Sequence, residues 1–121
     1  MAVRLDHTIV TARDKDAAAR FLAEILGLDP PVSAGPFVCV ETANGVALDY
    51  DDRWETAPSH YAFAVGDEEF DAIFARVVER GLEFWADPGH QEAGVLNTRN
   101  GGRGFYFSDP SGHNMEVLTR P

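Results

Sequence analysis

The stretch "SHYAFAV" (residues 59–65) places a histidine at the start of a short apolar run, and "RLDHTIV" (residues 4–10) repeats this arrangement near the start of the chain. Side chains of a β-strand point alternately to its two faces. One face of the first stretch therefore carries His60 and two alanines, while the other carries bulky apolar side chains. The pattern predicts a strand with one packed face and one open face that presents His60.

These two stretches begin two similar halves of the chain. A shift of 53 positions superimposes His7 on His60 and Asp14 on Asp67. In each half the histidine strand is followed by an aspartate that can cap a helix, and then by apolar residues at helical spacing. Each helical stretch is followed by a glycine, the residue that most often ends a helix. These glycines are Gly27 and Gly81.

Shorter apolar runs, separated by Gly, Pro and Asn, follow each helical stretch and are typical of strands and hairpins. They are "PFVCVET" and "VALDYDD" in the first half, and "GLEFWAD", "GFYFSDP" and "HNMEVLT" in the second. We therefore expect a single α+β domain over residues 1–121, with two tandem βαβββ units at about residues 1–53 and 58–121. A curved mixed sheet is expected to line a cleft, with the helices on the outside.

The last predicted strand of each half carries a carboxylate at the same place. Asp49 follows Gly45 by four residues in "GVALD", and Glu116 follows Gly112 by four residues in "GHNME". Strand alternation separates each carboxylate from the bulky apolar neighbours on either side of it. Each half thus begins with a histidine and ends with a carboxylate on its open face.

Two imidazoles and one or two carboxylates in one cleft predict a divalent-metal site. Mixed nitrogen and oxygen ligands suit Fe, Mn, Zn, Ni or Co, whereas Ca and Mg prefer oxygen alone. The predicted core ligands are His7, His60 and Glu116, and Asp49 is a possible fourth ligand, directly or through water. Glu116 and Asp49 are also the candidate catalytic bases. The competing interpretation is that the histidines are hydrogen-bonded core residues and the carboxylates bind arginines.

Composition excludes several partners and environments. The chain carries a net charge of −10, which would repel a phosphate backbone, so we expect no nucleic-acid partner. No apolar run approaches the roughly 18 residues of a membrane span, and the first residues lack a signal-peptide pattern. A single cysteine, Cys39, rules out an internal disulfide. These features indicate a cytoplasmic protein without a membrane partner.

The stretch "GRGFYFSDPSGHNMEVLT" (residues 102–119) resembles the C-terminal signature of the vicinal oxygen chelate superfamily. An aromatic strand, an Asp-Pro-x-Gly turn and a glutamate four residues after that glycine match it, and "LDHTIV" and "SHYAFAV" resemble the family's two histidine strands. The superfamily includes glyoxalase I, fosfomycin-modifying thiol transferases, extradiol dioxygenases and bleomycin-resistance proteins. The resemblance implies that His7, His60 and Glu116 are metal ligands, and it places Asp49 where glyoxalase I has a fourth ligand. It also assigns His113 to a structural turn.

The function implied by this resemblance is that of a divalent-metal-dependent enzyme of the glyoxalase-like class. Its open metal face would act as a Lewis acid on a small oxygen-bearing substrate. Isomerase or lyase, thiol transferase and dioxygenase chemistry all stay open, although Ile9 stands where the thiol transferases have threonine. The alternative is a non-catalytic drug-binding protein of the bleomycin-resistance type, a group that generally lacks the metal ligands. A third interpretation is an interaction module with a vestigial site.

Candidate substrate-binding residues come from the rest of the second half and from one tryptophan of the first. Arg99 and Arg103 could clamp an anionic substrate, although salt bridging on an acidic surface is the favoured alternative. Tyr106 and Trp54 are candidate walls of the cleft, and His90 lies in a loop that could close over it. The resemblance further implies a homodimer in which His7 of the partner subunit joins His60 and Glu116.

Overall fold

The computed structural model describes residues 2–121. The chain divides into two compact units, and the boundary in sequence falls between Ala57 and Pro58. Each unit combines one α-helix with a mixed β-sheet, so the expected α+β class is confirmed. No helix within residues 2–121 is both long enough and apolar enough to cross a membrane.

The first unit contains one helix and a four-stranded sheet with strand order β1-β4-β3-β2. Strands β1 and β4 are parallel, while the β4–β3 and β3–β2 pairs are antiparallel. The helix packs against β3 and β4. The elements are β1 (His7–Thr11), α1 (Lys15–Leu26), β2 (Val32–Ala34), β3 (Phe37–Glu41) and β4 (Ala47–Asp51).

The second unit repeats this plan with a three-stranded sheet of order β5-β7-β6. Strands β5 and β7 are parallel, and β6 and β7 are antiparallel. The elements are β5 (His60–Ala64), α2 (Asp67–Glu79), a short 3-10 turn (Arg99–Gly101), β6 (Gly104–Ser108) and β7 (Asn114–Leu118).

The helix ends agree with the sequence in the first unit and differ by one residue in the second. Asp14 caps α1 by accepting a hydrogen bond from the Ala17 backbone N–H at 3.1 Å, and Gly27 ends the helix in the left-handed region at φ 71°. In α2, however, Gly66 is the capping residue and Asp67 is the first helical residue. The Asp67 carboxylate instead pairs with Arg103 at 3.0 Å, which explains why it does not cap the helix.

One predicted strand is much reduced in the structure. The stretch "GLEFWAD" forms only isolated bridges at Trp85, whose backbone pairs with Ala93 and with Tyr106. Beyond it the chain turns at Asp87, whose carboxylate accepts hydrogen bonds from the Gln91 and Glu92 backbone N–H groups. The backbone N–H groups of these two residues are thus bonded to a side chain and not to a neighbouring strand.

The predicted alternation of faces is confirmed on the strands that carry the candidate ligands. On β7, Met115 and Val117 are buried, while the Glu116 side chain between them is 12% exposed. On β5, His60 is exposed while Tyr61 is half-buried. The apolar side chains of the second unit form an aromatic cluster between α2 and β6, in which Phe70 and Phe105 rings meet edge to face at 5.4 Å.

A carboxylate–arginine pair lies at the end of the last strand of the first unit. Asp51 is buried, and it accepts hydrogen bonds from the Arg53 backbone N–H, Nε and Nη2, each at 3.0 Å. The hydrogen bonds from the Arg53 side chain, followed by the one from its backbone, hold the pKa of Asp51 at about 2. That pKa lies below the ordinary aspartate value of 3.8, so folding favours the ionised form.

We predict that this pair stabilises the fold only while Asp51 is ionised. Because the folded pKa is depressed, the contribution is complete above the unfolded pKa of about 4 and is lost as the pH falls toward 2. In urea unfolding followed by circular dichroism, Arg53→Gln should lower the free energy of unfolding near neutral pH, and this deficit should shrink as the pH approaches 2. Arg20→Gln, on the exposed face of α1, serves as the matched control. A deficit that does not change with pH would contradict the assignment.

Candidate metal and substrate site

His60 and Glu116 lie side by side on neighbouring strands of the second unit. Strands β5 and β7 run parallel with Ala62 opposite Glu116, which places His60 diagonally beside the glutamate. His60 Nε2 lies 2.9 Å from Glu116 Oε1, and the glutamate side chain is only 12% exposed while that of the histidine is 46% exposed. The pair therefore presents an imidazole at the surface, backed by a largely buried carboxylate.

Tyr106 and Arg99 extend this pair across the sheet. Tyr106 stands opposite Glu116 on β6, and its ring centroid lies 5.6 Å from that of His60. Arg99 Nη1 donates to the Tyr106 hydroxyl at 2.9 Å, and its guanidinium lies over the tyrosine ring. Burial raises the pKa of Tyr106, and the Glu116 charge adds to this, while the hydrogen bond from Arg99 opposes it. Tyr106 is therefore a neutral hydroxyl near pH 7.

The first unit carries the other two predicted ligands on adjacent strands. Residue Ile9 of β1 pairs with Asp49 of β4, so His7 begins the strand that lies alongside Asp49. His7 Nδ1 lies 2.8 Å from Asp6 Oδ2 at an exposed position, and this hydrogen bond raises the pKa of His7, with a smaller contribution from the Asp49 charge. The pKa of Cys39 is raised as well, first by burial and then by a hydrogen bond with Asp49.

The four predicted ligands thus fall into two pairs, one in each unit. Within residues 2–121 no group of three or more His, Cys, Asp or Glu side chains is gathered closely enough to hold a metal ion. The pairing of His60 with Glu116 is a feature of the structure. A metal centre that combines His7, His60, Glu116 and Asp49 stays a prediction.

The remaining predicted substrate residues have different surroundings. Trp54 is exposed in the segment after β4, with the Arg53 guanidinium 5.9 Å from its ring centroid. Arg103 forms ion pairs with Asp71 at 2.7 Å and with Asp67 at 3.0 Å. These pairs agree with the salt-bridge interpretation of Arg103, whereas Arg99 binds a tyrosine hydroxyl and pairs with no carboxylate among residues 2–121.

His113 has the structural role that the resemblance implied. It is fully buried, and its Nδ1 accepts a hydrogen bond from the Ser59 backbone N–H at 2.9 Å. Asp109 Oδ1 in turn accepts from the His113 backbone N–H at 2.7 Å and from that of Ser111 at 3.0 Å. These bonds stabilise the turn between β6 and β7 and connect it to the residue that precedes His60.

The loop around His90 makes contacts that its sequence does not indicate. The His90 ring stacks on Trp85 with centroids 3.8 Å apart and planes within 1°, and its backbone is left-handed at φ 57°. His90 Nε2 donates to Asn114 Oδ1 at 2.8 Å, while Asn114 Nδ2 donates to the Pro88 carbonyl at 3.1 Å. Asn114 pairs with His60 across the β5–β7 ladder, so the loop is attached beside the candidate ligand.

A small cavity beside Glu116 contains an arginine that the sequence analysis did not single out. The cavity measures about 140 Å³, and Arg99, Arg103 and Arg120 line it together with Glu116. Alternation along β7 and past its end puts residues 116, 118 and 120 on one face. Arg120 lies four residues after Glu116, and this even spacing could have predicted that the two side chains share a face.

The two-unit α+β fold, with a histidine–glutamate pair on its second sheet, defines a glyoxalase-like domain. The chain belongs to the glyoxalase/bleomycin resistance protein/dioxygenase superfamily, whose family model matches residues 4–117. This confirms the resemblance drawn from the sequence motifs.

Solved structures of two oxidases match almost the entire chain. Oxidase ChaP-H1 is 59% identical, with a TM-score of 0.97 over 99% of this chain and 98% of that chain. Oxidase ChaP-H2 is 57% identical, with a TM-score of 0.96 over 100% of this chain and 96% of that chain. Sequence and backbone are therefore both similar from end to end.

Two curated transferases are more distant relatives. Glutathione transferase FosA from Serratia marcescens is 27% identical over 97% of this chain and 81% of its own length. Metallothiol transferase FosB from Shouchella clausii (strain KSM-K16) is 27% identical over 95% of this chain and 79% of its own length. Together with the family match, these relatives support the general expectation of a metal-dependent enzyme of the glyoxalase-like class.

We predict that Asn114→Ala releases the loop that carries His90. The substitution removes two side-chain hydrogen bonds, each worth about 1 kcal/mol net. Hydrogen–deuterium exchange should show the backbone amides of residues 90–92 exchanging at least about fivefold faster than in the wild type. Asn44→Ala, in a turn of the first unit, should leave this loop unchanged. Unchanged protection of the loop in Asn114→Ala would show that the hydrogen bonds do not hold it.

Proposed function

We propose that the protein is a metal-dependent oxidase acting on a small organic molecule. The observation that carries this proposal is the His60–Glu116 pair, an imidazole and a carboxylate 2.9 Å apart beside a neutral tyrosine. The end-to-end similarity to two proteins named as oxidases favours oxidation over the other reactions of the family. Among the metals considered, iron suits this chemistry best, since two histidines and one carboxylate are the donor set of non-haem Fe(II) oxygenases.

The residues present fit a divalent metal. His60 offers its Nε2 at an exposed position, and Glu116 offers a carboxylate oxygen 2.9 Å from that nitrogen. Ligation needs a neutral imidazole and an ionised carboxylate, so metal affinity should fall at acid pH. When bound, Fe(II) would supply the activation of dioxygen. We propose His7 as the second imidazole and Asp49 as a further carboxylate, either as a ligand or as a base.

The neighbouring residues have roles in substrate positioning. The Tyr106 hydroxyl is held by Arg99 and faces the same side of the sheet as Glu116, so it can orient a polar group of the substrate by hydrogen bonding. Glu116 and Asp49 are the candidate proton acceptors. Trp54 offers an exposed aromatic surface that can pack on an apolar part of the substrate.

Thiol transfer and drug binding are weaker alternatives. The two transferase relatives are 27% identical, against 59% for ChaP-H1, and Ile9 occupies the position at which the thiol transferases have threonine. A drug-binding protein of the bleomycin-resistance type would not need the His60–Glu116 pair. Under either alternative, the wild-type protein would not consume dioxygen. Dioxygen consumption therefore distinguishes the proposed oxidase from both.

The proposal predicts metal binding that depends on His60. Purified wild-type protein, reconstituted with Fe(II) without oxygen, should contain about one ion per chain, and His60→Ala should lose at least about nine-tenths of it. His90→Gln, which changes a histidine outside the predicted ligand set, should keep its metal. Inductively coupled plasma mass spectrometry measures the content, and an oxygen electrode measures consumption with a panel of phenolic substrates. Metal-free wild-type protein after reconstitution, or turnover that survives in His60→Ala, would contradict the proposal.

We also propose that the site is completed in a homodimer of a cytoplasmic protein. Strand β1 is an edge strand of its sheet, and it begins at exposed His7. Exposed apolar side chains lie on it and before it, and such side chains favour a protein partner at this edge. They are Val3, Leu5 and Ile9. In the dimer, His7 of the partner subunit would join His60 and Glu116.

Complementation between two inactive variants tests this arrangement. His7→Ala and His60→Ala should each lose the metal alone, whereas a heterodimer retains one site with both histidines intact. Unfolding and refolding an equal mixture should therefore restore about a quarter of the wild-type metal content. Light scattering should give twice the chain mass of 13.3 kDa. A monomer, or a refolded mixture without recovered metal, would contradict the shared site.

A further inference from the structure

The cavity beside Glu116 concentrates positive charge in an acidic protein. Three of the ten basic residues line it, although the chain carries a net charge of −10. The three arginines face a single lining carboxylate, that of Glu116. One Glu116 oxygen already lies 2.9 Å from His60 Nε2, so this carboxylate has a partner of its own outside the arginine group.

Among residues 2–121, two of the three guanidinium charges have no carboxylate partner. Arg103 is neutralised by Asp67 and Asp71, and it lies over the Phe70 ring at 4.4 Å. Arg99 donates to the uncharged Tyr106 hydroxyl. Within the described residues, neither Arg99 nor Arg120 forms an ion pair with Asp or Glu. Arginines that point into a cavity without a counter-charge form a site for an anion.

The backbone around Arg120 is built to hold this residue in place. A Cβ added at Gly102 would lie 2.7 Å from Thr119 Oγ1 and 2.9 Å from Arg120 Cβ, so only glycine allows the two segments to approach this closely. The Arg103 backbone N–H donates to Thr119 Oγ1 at 2.9 Å, and the Thr119 backbone N–H donates to the Arg103 carbonyl at 2.9 Å. These contacts place the backbone of Arg120 beside the turn that carries Arg99, while the Arg120 side chain is exposed.

We propose that this cavity binds an anionic group of the substrate, a carboxylate or a phosphate, through Arg99 and Arg120. This inference rests on the proposed oxidase function, because it places the anion next to Glu116 at the candidate metal site. The volume of about 140 Å³ suits an anionic head group and no more, so the rest of the substrate extends outside the cavity. Arg99 is held by its hydrogen bond to Tyr106 before the ligand arrives, which lowers the entropy cost of binding.

The test uses three aromatic probes on the full-length protein. Benzoate and phenyl phosphate carry the two candidate anions, and benzamide is a neutral molecule of nearly the same shape as benzoate. Their dissociation constants are measured by NMR titration with the wild type, Arg120→Gln and Arg120→Lys. Arg20→Gln, which removes an exposed arginine of α1, is the control. Thermal unfolding of each variant establishes that it is folded.

The expected result is that one or both anions bind, that benzamide does not, and that Arg120→Gln weakens the anion at least about tenfold, as the loss of a charge-assisted pair predicts. Arg120→Lys should recover part of the affinity, and Arg20→Gln should behave as wild type. The tighter of the two anions identifies the head group. Equal binding of benzamide and benzoate, or an Arg120→Gln affinity equal to that of the wild type, would overturn the proposal.

The same titrations in His60→Ala separate this inference from the oxidase proposal. Anion binding that needs Arg120 and persists in this variant supports the cavity, whether or not the wild-type protein takes up metal. Conversely, a wild-type protein that binds metal and consumes dioxygen, but shows no anion binding that depends on Arg120, would retain the oxidase function and refute the cavity.

Discussion

The candidate site depends on the parallel register between β5 and β7. Ala62 stands opposite Glu116, and this register places His60 within 2.9 Å of the glutamate. Because strand side chains alternate, a slip of one residue would turn Glu116 into the core beside the aromatic cluster and would expose Met115 and Val117 in its place. Burial of these two apolar side chains therefore determines where the carboxylate points.

The buried turn between β6 and β7 reinforces this register. The Ser59 backbone N–H donates to His113 Nδ1, and the Asn114 backbone N–H donates to the Ser59 carbonyl, both at 2.9 Å. Asp109 holds the turn from within by accepting from two backbone N–H groups. Ser59 directly precedes His60, so the fully buried His113 fixes the start of the strand that presents the exposed His60.

Charge is distributed unevenly over the second unit. Carboxylates of α2 neutralise Arg103, whereas Arg99 and Arg120 remain available at the cavity beside Glu116. The protein has twice as many acidic as basic residues, so carboxylates are plentiful. Arg99 and Arg120 nevertheless form no ion pair with Asp or Glu among residues 2–121, and they forgo the stabilisation that such a pair would give. Such an arrangement is typical of binding sites, where local stability is given up for recognition of a ligand.

The sequence by itself determined the fold class, the two helices and the faces of the strands, because hydrophobic periodicity and capping residues act over a few neighbouring positions. It also predicted that His60 and Glu116 lie close together, since the repeat placed a histidine and a carboxylate at matching positions in each half, and the structure places His60 Nε2 2.9 Å from Glu116 Oε1. It could not show that "GLEFWAD" fails to form a full strand, because strand pairing depends on which distant backbone groups fold beside it, and the bridges that form join Trp85 to Ala93 and to Tyr106. Only the tertiary structure distinguished Arg103, which is neutralised by α2, from Arg99 and Arg120, which are not. An arginine's role depends on which distant carboxylates fold next to it, and no local pattern encodes that.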